Sequence, residues 1–96
     1  MPAYIIYERK QVLDQARYLE YVRAVGPTIA RFGGDVITAR KTPAVLEGTW
    51  APASLVIIRF PSKGQARAWY DSPEYAPLKE LRLASTTGNM VIVEGD

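Results

Sequence analysis

The sequence predicts an α+β fold, and three observations carry that prediction. Segments of β-forming residues and segments of helical apolar spacing succeed one another in the order βαββαβ. Capping residues and glycines mark the joins. The strand segments are apolar at both odd and even positions, so both faces of the sheet are greasy. With right-handed crossovers, this order lays the helices on one face of a four-stranded antiparallel sheet, the ferredoxin-like sandwich.

Ala3 to Arg9, rich in Tyr and Ile, is the first expected strand. Asp14 is a candidate N-cap for a helix whose apolar side holds Tyr18, Leu19, Tyr21, Val22, Val25 and Ile29. Pro27 inside that pattern predicts a kink or break near Gly26-Pro27, and Gly33-Gly34 ends the helix. Asp35 to Lys41 is a second, more polar strand and the only one that reads as an edge. Thr42 to Pro52, with Pro43, Gly48 and Pro52, is a loop, and Ser54 to Phe60 is the most apolar strand. Ser62 and Gln65 form a capping box for a helix through Tyr70. Ser72, Pro73 and Glu74 then restart the helix, with Tyr75, Leu78, Leu81 and Ala84 on its buried side. Gly88 is expected to close it before a last strand from Asn89 to Glu94.

A chain of 96 residues is the size of one domain, residues 1–96. Its net charge of +2 arises from 12 Lys and Arg against 10 Asp and Glu, scattered along the sequence. No nucleic-acid and no membrane partner is expected from so weak a balance. There is no Cys and no His, which excludes disulfides, thiolate chemistry, the usual zinc and haem ligands and the usual general base. No cofactor is expected, and no carboxylate pair has the spacing of a metal site. The N-terminal residues lack a leader pattern and no segment nears the ~20 apolar residues of a membrane helix, so a cytoplasmic location is expected.

Alternation puts Ile5 and Tyr7 on one face and Tyr4 and Ile6 on the other. Likewise Leu55 and Ile57 oppose Val56, Ile58 and Phe60, and Met90 and Ile92 oppose Val91 and Val93. The helices cover one face only. A second copy of the chain, packed sheet to sheet, is the expected cover for the other, giving a homodimer.

The same segments resemble a known family. Met1 to Tyr4, Tyr18-Leu19-Glu20-Tyr21, Gly33-Gly34, Leu46-Glu47-Gly48-Thr49-Trp50 and Phe60-Pro61-Ser62 all fit it. So does Ala68-Trp69-Tyr70-Asp71-Ser72-Pro73-Glu74-Tyr75, followed at helical spacing by Leu78 and Arg82. Over essentially the whole chain this is similar to the family catalogued as domain of unknown function 1330. The resemblance implies a dimeric α+β barrel with a cavity between sheet and helices in each subunit. Its wider superfamily holds cofactor-free monooxygenases, haem-degrading enzymes, isomerases and binding proteins, so the resemblance speaks to fold more than function.

Among polar candidates, Arg82 shares a helix face with Tyr75 and Leu78 and could grip a carboxylate; the alternative is a structural salt bridge, with Glu47 as its partner. Glu47, beside Gly48 and Trp50, is the best carboxylate for acid or base work if half-buried against the indole. Arg59 interrupts an apolar strand and needs a partner if buried. Tyr18, Tyr21, Trp50, Trp69 and Tyr75 could line an aromatic ligand pocket or simply form core. Ser72 reads as a cap. Two functions follow: a cofactor-free enzyme or binder for a small aromatic or carboxylated metabolite, or a non-catalytic dimeric module with a closed core.

Overall fold

The computed structural model describes residues 1–96. Along the chain run β1 (Ala3–Val12), α1 (Gln15–Arg31), β2 (Asp35–Lys41), β3 (Ser54–Phe60), α2 (Lys63–Tyr70), α3 (Ala76–Ser85) and β4 (Thr86–Glu94). The strands hydrogen-bond in the order β2-β3-β1-β4, each neighbouring pair antiparallel. This is the expected ferredoxin-like α+β arrangement, with its second helix in two pieces.

Local chemistry explains most element ends. The Asp14 carboxylate accepts from the Arg17 backbone N–H at 3.2 Å and starts α1. Gly33, at φ 79°, ends it; the N–H of Gly33 bonds the Ala30 carbonyl and that of Gly34 the Ile29 carbonyl, both at 3.0 Å. At α2 the Ser62 hydroxyl accepts from the Gln65 N–H at 3.1 Å, the serine half of the expected box.

Four expectations need correction. Of the kink or break expected near Gly26-Pro27, the break is absent: helix α1 runs unbroken through Pro27. Pro27 and Arg23 are both exposed, so the Arg23 carbonyl that loses its donor can turn to water. The Ser72 hydroxyl does accept from the Tyr75 N–H, at 3.1 Å, but it caps a turn, and α3 starts only at Ala76 with Pro77 in its first turn. Gly88 is no helix cap. It lies inside β4 opposite Arg9, where a β-carbon would strike the Glu8 carbonyl. Finally, β4 as well as β2 is an edge of the sheet, although its side chains are mostly apolar.

The core lies between the helices and the inner sheet face. Ile5 pairs with Ile58 and with Ile92 there, and Trp69, Tyr75, Phe60 and Ile5 are fully buried. The Trp69 ring lies 4.0 Å from that of Tyr75 and 5.7 Å from that of Phe60, centroid to centroid. On the outer face Ile6 pairs with Ile57 and Val91, and Val91 is 54% exposed. Residues 42–53 reach the outer side, where the Trp50 indole donates to Glu8 at 3.1 Å while the Asn89 amide donates to the other Glu8 oxygen at 3.0 Å. No helix is long and apolar enough to cross a membrane.

Candidate functional site

Helix α3 carries Arg82 into the interior, where it is only 4% exposed. Its Nε donates to the Tyr75 hydroxyl at 3.1 Å, and its guanidinium carbon lies 4.9 Å from the centroid of the Tyr7 ring. No carboxylate pairs with it: the ion pairs Arg17–Asp14, Arg31–Glu74 and Arg67–Asp71 are all elsewhere, at the surface. Buried charges ordinarily bring an opposite charge with them. Here a phenol oxygen and an aromatic face stand in that place.

The hydrogen bonds have a direction. A guanidinium can only donate, so the Tyr75 oxygen accepts from Arg82. The Tyr75 hydrogen is then free to point at the Tyr21 oxygen, 2.8 Å away. Either hydroxyl can donate in that pair; where Tyr75 does, the Tyr21 hydrogen is left for a further acceptor. Burial, then the neighbouring Tyr75, pushes the Tyr21 pKa well above its ordinary value, and burial raises Tyr75 too. Both phenols are neutral donors rather than bases. Thr86 completes the cluster: its hydroxyl donates to the Arg82 carbonyl at 2.7 Å and so accepts from the Tyr7 hydroxyl, also at 2.7 Å.

Tyr21 and Tyr7 also form part of the wall of a cavity of about 170 Å³ between α1 and the inner face of the sheet. Its deep wall includes the buried Tyr7, Tyr18, Tyr21, Ile29 and Ile58. Its exposed members, Gly26, Val36 and Arg40, mark a mouth between α1 and β2. A larger, more open cleft of about 360 Å³ runs between α2 and β4; of its two cations, Lys63 and Arg67, the latter is already paired with Asp71.

The candidates from sequence fall into two groups. Tyr18 and Tyr21 of α1 line the cavity, and Tyr75, just before α3, and Arg82 of α3 stand behind Tyr21. Trp69 is buried beside them, its indole N–H bonded to the Thr28 hydroxyl at 3.0 Å, as core. Glu47, Trp50 and Arg59 lie apart from this cluster and are exposed. Glu47 lines a shallow hollow with Trp50 and Leu55, so it is neither the half-buried acid nor the partner of Arg82 within one chain. Arg59, whose position faces Tyr4 and Asp35, needs no buried partner because its side chain is in water. Tyr7 and Thr86 were not among the candidates. Alternation put Tyr7 on the same face as Ile5, but nothing in the sequence tied it to Arg82. No three His, Cys, Asp or Glu side chains are grouped to hold a metal ion.

Fold and site together define a ferredoxin-like α+β protein with a phenol-walled cavity backed by a buried arginine. The chain belongs to the family described as domain of unknown function (DUF1330), whose model matches residues 2–96. Among solved structures, it is similar to a protein of unknown function from Rhodopseudomonas palustris, with a TM-score of 0.76 at 18% identity over 98% of this chain and 82% of the other. It is similar to a dimeric ferredoxin-like protein of unknown function from Jannaschia sp. CCS1, with a TM-score of 0.70 at 13% identity over 99% of this chain and 100% of that one. SnoaB, a cofactor-independent oxygenase from Streptomyces nogalater, shares the fold at a TM-score of 0.58 and 10% identity, over 99% of this chain and 91% of its own. A search of curated proteins finds no match. At such identities the structural likenesses speak for the fold alone.

Proposed function

We propose that the protein is a homodimer of one-domain chains, residues 1–96, whose protomers each bind a small aromatic metabolite bearing an oxygen acceptor. The observation that carries this is the buried Arg82, without a counter-ion, relayed through Tyr75 to a Tyr21 hydroxyl at the wall of an apolar cavity. A cavity of about 150 Å³ lined by apolar side chains is enough to take up benzene. The 170 Å³ found here suits a ligand with one ring. It counts against the rival idea of a module with a closed core. The Tyr21 donor, strengthened by the chain of bonds behind it, would hold a carbonyl, phenol or carboxylate oxygen of the ligand.

Cofactor-free catalysis on the same ligand is the second reading. The shared fold of SnoaB supports it, and so does a Tyr21 donor able to stabilise an oxyanion. Binding is the stronger reading, because the cavity lining holds no His, Cys, Asp or Glu to take a proton. The cytoplasm is the proposed site of action. Calorimetric titration with 4-hydroxybenzamide, a single-ring probe, tests the pocket. Binding by the wild type, weakened roughly 3- to 10-fold in Tyr21→Phe, is expected from one lost hydrogen bond. A flat titration at millimolar probe overturns the proposal.

A further inference from the structure

The mouth of the cavity carries a feature that the phenol cluster does not use. Arg40 is the one residue other than glycine with positive φ, at 55°. It lies where β2 slips against β3: Val36 faces Ile58, Thr38 faces Ile57, and Lys41 faces Leu55, so an extra residue is accommodated on each side of Thr38. A bulge of this kind re-aims side chains. Its effect is that two consecutive residues, Ala39 and Arg40, both line the cavity, where strict alternation would send one of them to the outer face. Holding a non-glycine residue in this conformation costs energy, and such strain tends to sit where a side chain is needed.

A second observation lies on the neighbouring strands. Arg9 of β1 faces Ser54 of β3 on the inner face. The Nε of Arg9 and the hydroxyl of Ser54 are both buried and both lack a hydrogen-bond partner; they are the only side-chain polar atoms in that condition. Ser54 is 2% exposed. Their inner-face neighbours two residues along, Tyr7 and Val56, line the cavity, and Tyr18, also in the lining, packs its ring 5.6 Å from the Arg9 guanidinium carbon. Neither Arg9 nor Arg40 has an ion pair. Arg40 thus lines the cavity, and the Arg9 Nε and the Ser54 hydroxyl lie buried one inner-face position beyond its lining residues Tyr7 and Val56. All are donors, and no acid answers them.

We propose that Arg9, Ser54 and Arg40 form a carboxylate-binding subsite, and that the ligand is a single-ring acid whose ring lies in the cavity with its carboxylate toward β2. The inference rests on the pocket proposed above and adds the anionic end of the ligand to it. A carboxylate offers acceptors of the number and charge these donors lack.

The test compares 4-hydroxybenzoate with 4-hydroxybenzamide, which has nearly the same shape and no charge, by calorimetry on the intact chain. Wild type should prefer the acid by roughly tenfold, as charge-assisted bonds predict. In Arg40→Gly the ratio should fall toward one while the melting temperature rises, because glycine adopts φ 55° without strain. Ser54→Ala removes a hydroxyl with no partner, so it should fold normally and lower the acid preference as well. If the preference is absent in wild type, or survives in both variants while the amide still binds, the subsite is wrong and the pocket stands. If neither probe binds, the pocket and the subsite fall together.

Discussion

A phenol buried next to a guanidinium is held neutral by its surroundings, and Tyr21 and Tyr75 pass that condition on to stability. Burial, then Tyr75, lifts Tyr21 above its ordinary value of 10.0, and burial lifts Tyr75. Above about pH 10 the unfolded chain gives up protons that the folded chain keeps, so stability must fall as pH rises. The slope is at most about 1.4 kcal/mol per pH unit for each phenol. Urea midpoints measured from pH 9 to 11.5 should therefore fall, and fall less steeply in Tyr21→Phe. Arg82 was legible as a special residue because it shares a helical stripe with Tyr75 and Leu78. Its lack of a carboxylate was not legible, since that depends on where residues 42–53 carry Glu47. Arg40 was invisible for a related reason: a bulge is a property of two strands in register, and one strand read alone obeys simple alternation.

Among the elements, β2 and β3 were readable to the residue, being β-rich runs bounded by glycine, proline and serine. The helix ends with side-chain or glycine caps were readable too, at Asp14, Gly33 and Ser62. Pro27 and Gly88 misled because each residue type has two uses. Proline removes one helical hydrogen bond and crowds the carbonyl four residues back, a cost that lessens where that carbonyl can turn to water. Glycine serves close strand approach as well as helix ends. The segment 42–53 makes a prediction of its own. The Asn89 amide, then the Trp50 indole, hold the Glu8 carboxyl below its ordinary 4.5. Ionised Glu8 is the form they favour, so this tie is present above pH 4.5 and is lost as pH falls through the lowered value. Trp50 fluorescence should change in that acid range, and the change should vanish in Glu8→Gln and in Trp50→Phe while the Trp69 signal persists.

For the whole molecule, the proposed dimer turns on the outer sheet face. Ile57, Ile6 and Val91 form a row across three strands there, and no helix covers it. Light scattering at micromolar concentration should give twice the chain mass of 10.7 kDa. Val91 is already 54% exposed in the protomer, so Val91→Lys should leave the fold intact and yield the single-chain mass. A folded wild-type monomer would remove the dimer from the proposal.

Helix α3 ends at Ser85 and β4 begins at Thr86, with no residue between them. The Ser85 carbonyl accepts from the Leu13 N–H at 2.7 Å, and Thr86 faces Val12, so the join is clamped to the far end of β1. There is no slack to absorb a change in length. One residue inserted at this seam would turn Met90 and Ile92 out to solvent and Val91 and Val93 in beneath the helices. The seam works as a ruler: its zero length decides which stripe of the last strand lies on the open sheet face and which lies toward the helices.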